Sequence, residues 1–302
     1  MVATVAAGVG GAGGWQTLAW AAEQAGYQTG MRLELLRVAE PGSPLAGLAG
    51  EPAPALLELA DPALSRALSA TRTQLGGHRV HLRIQVGDPG TALAAASAGA
   101  DLLVIGSGGD GHTVRRIVHH ARCPVVVVRP VSAGRGAPLA GHVVVGVDGS
   151  AAGRAALEFG FAYADEHRLP VAAAHVSART ADDFFSDEVT VSPHGATEPP
   201  ALQLLGAEVE PWMLRYPRSR VRRAVLNGRV ADGLRRAGLG AHLLVVGDKH
   251  RGLLARTRTG DVPLTVARRA GCPVAVVPIG QAEFDRTGFG QAEFDQGEGE
   301  LP

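Results

Sequence analysis

Two matched pairs of short apolar runs constrain this chain more than any other feature. HLLVVG, ending at Gly247, repeats DLLVIG, ending at Gly106, and CPVAVV from Cys272 repeats CPVVVV from Cys123. Uninterrupted runs of this length, dominated by Val and Leu, suit strands buried on both faces of a parallel sheet. Between Gly247 and Cys272 the pattern turns helical from Val262 to Ala270, with Val262, Val266 and Ala270 on one stripe. Strand, loop, helix, strand is a βαβ unit. Its first loop is where such sheets hold ligands, because a helix N-terminus offers free N–H groups and a positive dipole end.

The repeat extends through the chain. Gly146-Val147 follows Gly8-Val9 by 138 residues, Gly247 follows Gly106 by 141, and Cys272 follows Cys123 by 149. The step from 141 to 149 places an eight-residue deletion in the first copy, in the loop and helix start where this architecture binds ligand. A chain of 302 residues accommodates two domains of ordinary size. The expected division is 1–130, a linker over 131–141, a second domain over 142–280, and a disordered tail over 281–302, where GQAEFD occurs twice in a Gly-rich, acidic stretch.

Each copy reads β-α-β-α-β-α-β-α-β. In the first, Val2 to Val9 is a strand. Leu18, Ala21, Ala22 and Ala25 then mark a helix face, and Met31 to Val38 is a second strand. Pro62 starts a new helix within Ala55 to Gln74. Val80, Leu82, Ile84 and Val86 alternate with polar residues, as in a half-exposed strand near a sheet edge. In the second copy, Val143 to Val147 is a strand followed by Asp148-Gly149-Ser150. Val171 to Val176 and Ser219 to Leu226 are further strands, and Ser177 to Pro200 is polar and turn-rich.

Composition narrows the function. A formal net charge of zero argues against nucleic acid or an anionic membrane as the main partner. No apolar window is long enough to span a bilayer, and the N-terminus reads as a strand and a glycine loop rather than a signal peptide. Two cysteines, each followed by Pro, form neither a metal motif nor a disulfide framework, so a reducing cytoplasmic setting is expected. His119 and His120 are adjacent on a helix and cannot ligate one metal from a common face; both are expected at the surface.

VVVGVDGS at Val143, HLLVVG at His242 and RRAGCPVAVVP at Arg268, with weaker counterparts AAGVGGA, DLLVIG and HHARCPVVVVR in the first copy, together resemble the universal stress protein family over Val2 to Pro278. The resemblance implies two tandem five-stranded parallel α/β domains of strand order 3-2-1-4-5, an adenine nucleotide alpha hydrolase-like fold. It also implies pairing of two units through their last strands, within one chain or between two copies. Members that bind ATP carry G-x-x-G-x9-G-[S/T] after the fourth strand. Here Gly247 and Gly260 match, while His250 stands for the second glycine and Asp261 for the Ser or Thr. Asp148 matches the residue that contacts adenine, and Val176 a lining position at the end of strand two. Val246, Lys249 and Val262 complete the candidate set, with Lys249, Arg251, Arg256 and Arg258 as loop cations that draw an anion toward it. No nucleotide site is expected in the first copy, where Gly10 replaces the aspartate.

The functional expectation is a stress-response binding module, not an enzyme, with a partly degenerate site for ATP and Mg in the second domain. Asp261 would cap its helix and set a carboxylate against phosphate, Pro263 would remove one N–H donor, and the binding would be weak or absent. The alternative is a slow ATPase with Asp261 toward the metal. A third reading takes Gly8, Gly10 and Gly13 as a dinucleotide fingerprint, with Glu34 as the ribose acid. It is disfavoured because Glu34 falls mid-strand. Ser150 reads as a helix cap rather than a nucleophile, and Cys123 and Cys272 read as buried thiols.

Overall fold

The computed structural model describes residues 3–11, 13–27, 30–108, 111–130, 136–177, 183–186, 200–249 and 261–279. The first half runs β1 (Thr4–Gly8), α1 (Gly14–Tyr27), β2 (Arg32–Ala39), α2 (Pro54–Ala60), α3 (Pro62–Leu75), β3 (Val80–Val86), α4 (Pro89–Ala96), β4 (Leu102–Gly106), α5 (His112–His120) and β5 (Val125–Val128). The second runs β6 (Val143–Gly146), α6 (Ala151–His167), β7 (Val171–Ser177), β8 (Phe184–Ser186), α7 (Pro200–Arg215), β9 (Val221–Asn227), α8 (Val230–Ala237), β10 (Leu243–Asp248), α9 (Val262–Arg269) and β11 (Val274–Pro278).

Among the described residues eleven strands form one sheet, in the order β3-β2-β1-β4-β5-β11-β10-β6-β7-β9-β8. In each half five parallel strands take the order 3-2-1-4-5, and β8 adds an antiparallel edge strand beside β9 in the second. The halves join where β5 and β11 pair antiparallel, Val127 opposite Val274 and Val125 opposite Val276. The four valines of β5 are all buried, as an uninterrupted β-branched run covered on both faces must be. Helices cover the sheet in two layers. Leu18, Leu64, Leu157 and Leu205, from α1, α3, α6 and α7, pack on one face. Leu93, Val114, Leu234 and Val266, from α4, α5, α8 and α9, pack on the other.

Several local readings hold for stated reasons. Asp61 accepts a hydrogen bond from Leu64 N–H and caps α3 with Pro62 in its first turn, so the helix restarts there. β3 lies at the sheet edge and buries Val80, Leu82 and Ile84. Glu34 is mid-strand, paired in register with Ala6 and His81, which leaves the dinucleotide reading without its acid. One reading needs correction. The stretch taken as polar and turn-rich contains β8, antiparallel on β9; three residues are too few to show alternation. Leu139, in the segment between the halves, is buried and belongs to the apolar cluster that includes Val144 and Ala172.

Aromatic side chains bridge the two halves. Trp20 of α1 stacks on Tyr163 of α6 at 6.3 Å, and Tyr27 meets His167 at 4.1 Å. The hydroxyl of Tyr163 lies 3.2 Å from Nε2 of His242. The C-terminal stretch from 280, including both GQAEFD repeats, lies outside the described residues.

Candidate functional site

A cavity of about 320 Å³ opens at the C-terminal ends of β6, β7 and β10. Strand order reverses between β6 and β10, so their following loops diverge and leave a crevice. Three helices start at its rim: α6 behind Ser150, α8 at Val230 and α9 behind Asp261. Its apolar floor is Val176, Val230, Leu234 and Val246.

Gly247 sets the depth of the crevice. A Cβ there would lie 2.0 Å from the carbonyl oxygen of Ala152, so only glycine lets the first turn of α6 sit against the end of β10. Ser150 caps α6, accepting from Gly153 N–H at 3.2 Å. Asp148 accepts from the Ser150 hydroxyl and N–H through Oδ1, while its Oδ2 lies 2.5 Å from the Lys249 ammonium. Burial acts to raise the Asp148 carboxyl. The hydrogen bonds from Lys249 and Ser150, with the lysine charge, outweigh it and hold the group below its ordinary value. At the other end Asp261 caps α9, with Oδ1 accepting from Leu264 N–H at 3.1 Å.

Of the nine candidate residues, the fold brings Asp148, Val176, Val246, Gly247, Lys249, Asp261 and Val262 to this one cavity, along with Pro263. His250 and Gly260 lie outside the described residues. Lys249, taken from sequence as an attractant for anions, is instead engaged by Asp148. Two titratable lining residues escaped the sequence reading. His175 is anchored by Nδ1 to the Val147 carbonyl at 2.8 Å, and Asp248 is buried at the end of β10. The signal for both was position, since each sits at the C-terminal end of a central strand. His119 also needs correction. It is not a surface residue: its side chain is 10% exposed, and its Nε2 lies 3.0 Å from Oδ2 of Asp261, across the boundary between the halves.

A model of the universal stress protein family matches residues 1–129 and again 140–278. The chain belongs to the universal stress protein family. Universal stress protein Rv2623 of Mycobacterium tuberculosis (strain ATCC 25618 / H37Rv) is 30% identical over 226 residues, covering 72% of this chain and 74% of that protein. Universal stress protein Rv2028c of the same strain is 29% identical over 273 residues, covering 87% and 91%. Among solved structures, a universal stress protein from Archaeoglobus fulgidus DSM 4304 superposes with a TM-score of 0.62 at 16% identity, over 93% of this chain and 97% of that one. These lengths accord with two family units in tandem. Among the described residues no helix is long and apolar enough to cross a membrane.

The first half differs at the equivalent place. Gly10, the counterpart of Asp148, lies beneath Arg37: a Cβ at Gly10 would sit 2.6 Å from Nη1 of that guanidinium. The helix after β4 starts behind Gly111, at φ 78° and without a side-chain cap.

Proposed function

We propose that this chain is a stress-response binding module whose second half holds an adenine nucleotide weakly, as a regulatory ligand rather than a substrate. The observation that carries the reading is the cavity at the β6/β10 crossover, with an ionised Asp148 at one end and the start of α9 at the other. Valine and leucine side chains on the floor suit a flat base, and Asp148 offers an acceptor to its exocyclic amine. The phosphate end fits less well. Asp148, Asp248 and Asp261 line the cavity against the single cation Lys249, among the described residues. Such a lining opposes a triphosphate unless Mg²⁺ accompanies it. The described lining therefore fits the nucleoside better than an unaccompanied triphosphate.

The ATPase alternative requires a carboxylate turned toward phosphate. Asp261, the residue named for that part, already gives Oδ1 to the α9 cap and Oδ2 to His119. Titration with Mg-ATP, followed by calorimetry and by NMR for weak binding, tests the reading. The double change His250→Gly with Asp261→Ser should create or strengthen binding in the second half and not in the first. Tight wild-type binding that the double change weakens would favour the enzyme instead.

A further inference from the structure

The helix α9 forms one wall of the cavity, and residues of the other half grip it at both ends. At its start, Nε2 of His119 from α5 lies 3.0 Å from Oδ2 of Asp261. At its end, Arg129, just past β5, donates from Nε to the Ala270 carbonyl at 2.9 Å and from Nη1 to the Ala267 carbonyl at 3.4 Å. A cation against the last carbonyls and an anion at the first N–H groups both suit the helix dipole.

The reverse grip is weaker. The repeat that aligns Cys123 with Cys272 aligns His119 with Arg268 and Arg129 with Pro278. Among the described residues Arg268 approaches the start of α5, where a Cβ on Gly111 would lie 2.7 Å from its Nη2. Pro278 has no side-chain donor to return for Arg129. Support therefore runs from the first half to the second.

His119 is placed at some cost. Its Nδ1 is buried and has no hydrogen-bond partner among the described residues. A buried nitrogen left unsatisfied calls for an explanation, and the contact with Asp261 is the one the geometry provides.

We propose that the first half, which has lost the marks of a ligand site, is the frame of the second half's site: His119 and Arg129 position α9, and His119 offsets the charge that Asp261 presents to a ligand. The part concerning ligand charge rests on the nucleotide reading above; the part concerning α9 does not. His119→Phe keeps a buried ring and removes the pairing nitrogens. It should weaken Mg-ATP binding about tenfold, within the ordinary range for coupling between sites. It should also speed hydrogen exchange of the first-turn amides of α9, Leu264 included. His119→Gln, which retains a donor, should recover most of the exchange protection. Asp261→Asn keeps the cap and removes the charge, so in that background His119→Phe should leave affinity nearly unchanged. Unaltered exchange in α9 after both His119→Phe and Arg129→Met would overturn the proposal. So would an affinity loss that persists in full in the Asp261→Asn background, because His119 would then act through general structure alone. If no variant binds Mg-ATP but exchange responds as stated, the nucleotide reading fails and the grip on α9 stands.

Discussion

The two halves share a strand plan and part company at its ligand end. In both, a glycine in the last two residues of the fourth strand allows a close approach: Gly106 faces Gly13, and Gly247 faces Ala152. Beyond that glycine the first half reaches α5 at His112, while the second reaches α9 only at Val262. One half covers Gly10 with Arg37 and starts its helix uncapped; the other pairs Asp148 with Lys249 and caps its helix with Asp261. The difference teaches that the sheet and the site are separable. Buried β-branched runs maintain the sheet whatever the loops become, so a half that loses its loop can still fold and still serve as a partner.

The sharpest way to break the comparison is to cut the seam. Val276 is 2% exposed and lies opposite Val125. Val276→Lys would bury an unpaired ammonium there, at a cost of about 4 kcal/mol or more. Denaturant unfolding should resolve from one transition into two as the halves uncouple. An unchanged single transition and midpoint would mean the seam does not hold them together.

The next test sets one glycine against the other. In Gly247→Ala the new methyl meets the Ala152 carbonyl at 2.0 Å, against 3.1 Å from the Gly13 Cα in Gly106→Ala. The former should lose about 3 kcal/mol and the latter about 1 kcal/mol by chemical denaturation, as overpacking of differing severity. Equal losses would show that the close approach in the second half relaxes freely.

Much of this plan was legible from the chain. The repeat located the strands and Pro62 a helix restart, because each reports a local preference for burial or for a backbone angle, while the seam through the last strands came from the family resemblance. What periodicity cannot report is contact between the copies. His119 read as one of two adjacent surface histidines because nothing nearby in sequence shows that its ring meets Asp261 across the seam. Lys249 read as an anion attractant because its partner, Asp148, lies some hundred residues earlier, brought close only when β6 and β10 pair.

A smaller effect separates the helix starts. Asp261→Ala removes the α9 cap and should lower stability by about 1 kcal/mol. Gly111→Ala has no cap to lose, but must adopt φ 78° beside Arg268. Thermal melts of both variants compare a lost hydrogen bond with imposed strain.

The smallest expected effect comes from pH. Burial holds His167 and His242 below the ordinary histidine value of 6.5, and His167 depresses His242 further. The unfolded chain then binds more protons than the folded one as pH falls below that value, so stability is full above it and declines beneath it. Lowering pH from about 7.5 to about 5.5 should reduce the melting temperature by roughly 2 °C through this pair, and His167→Phe with His242→Gln should flatten the slope. A slope identical in wild type and double variant would place the pH response elsewhere.

The antiparallel joint of β5 and β11 has one more consequence. Two separate chains meeting at such strands would come apart on dilution, and their union would track how much protein a cell makes. With both strands on one chain, the encounter is intramolecular and the effective concentration of each half at the other is set by the connecting segment alone. Coupling between the halves is therefore the same at any abundance, and a signal read through α9 would report its ligand without also reporting the amount of the protein.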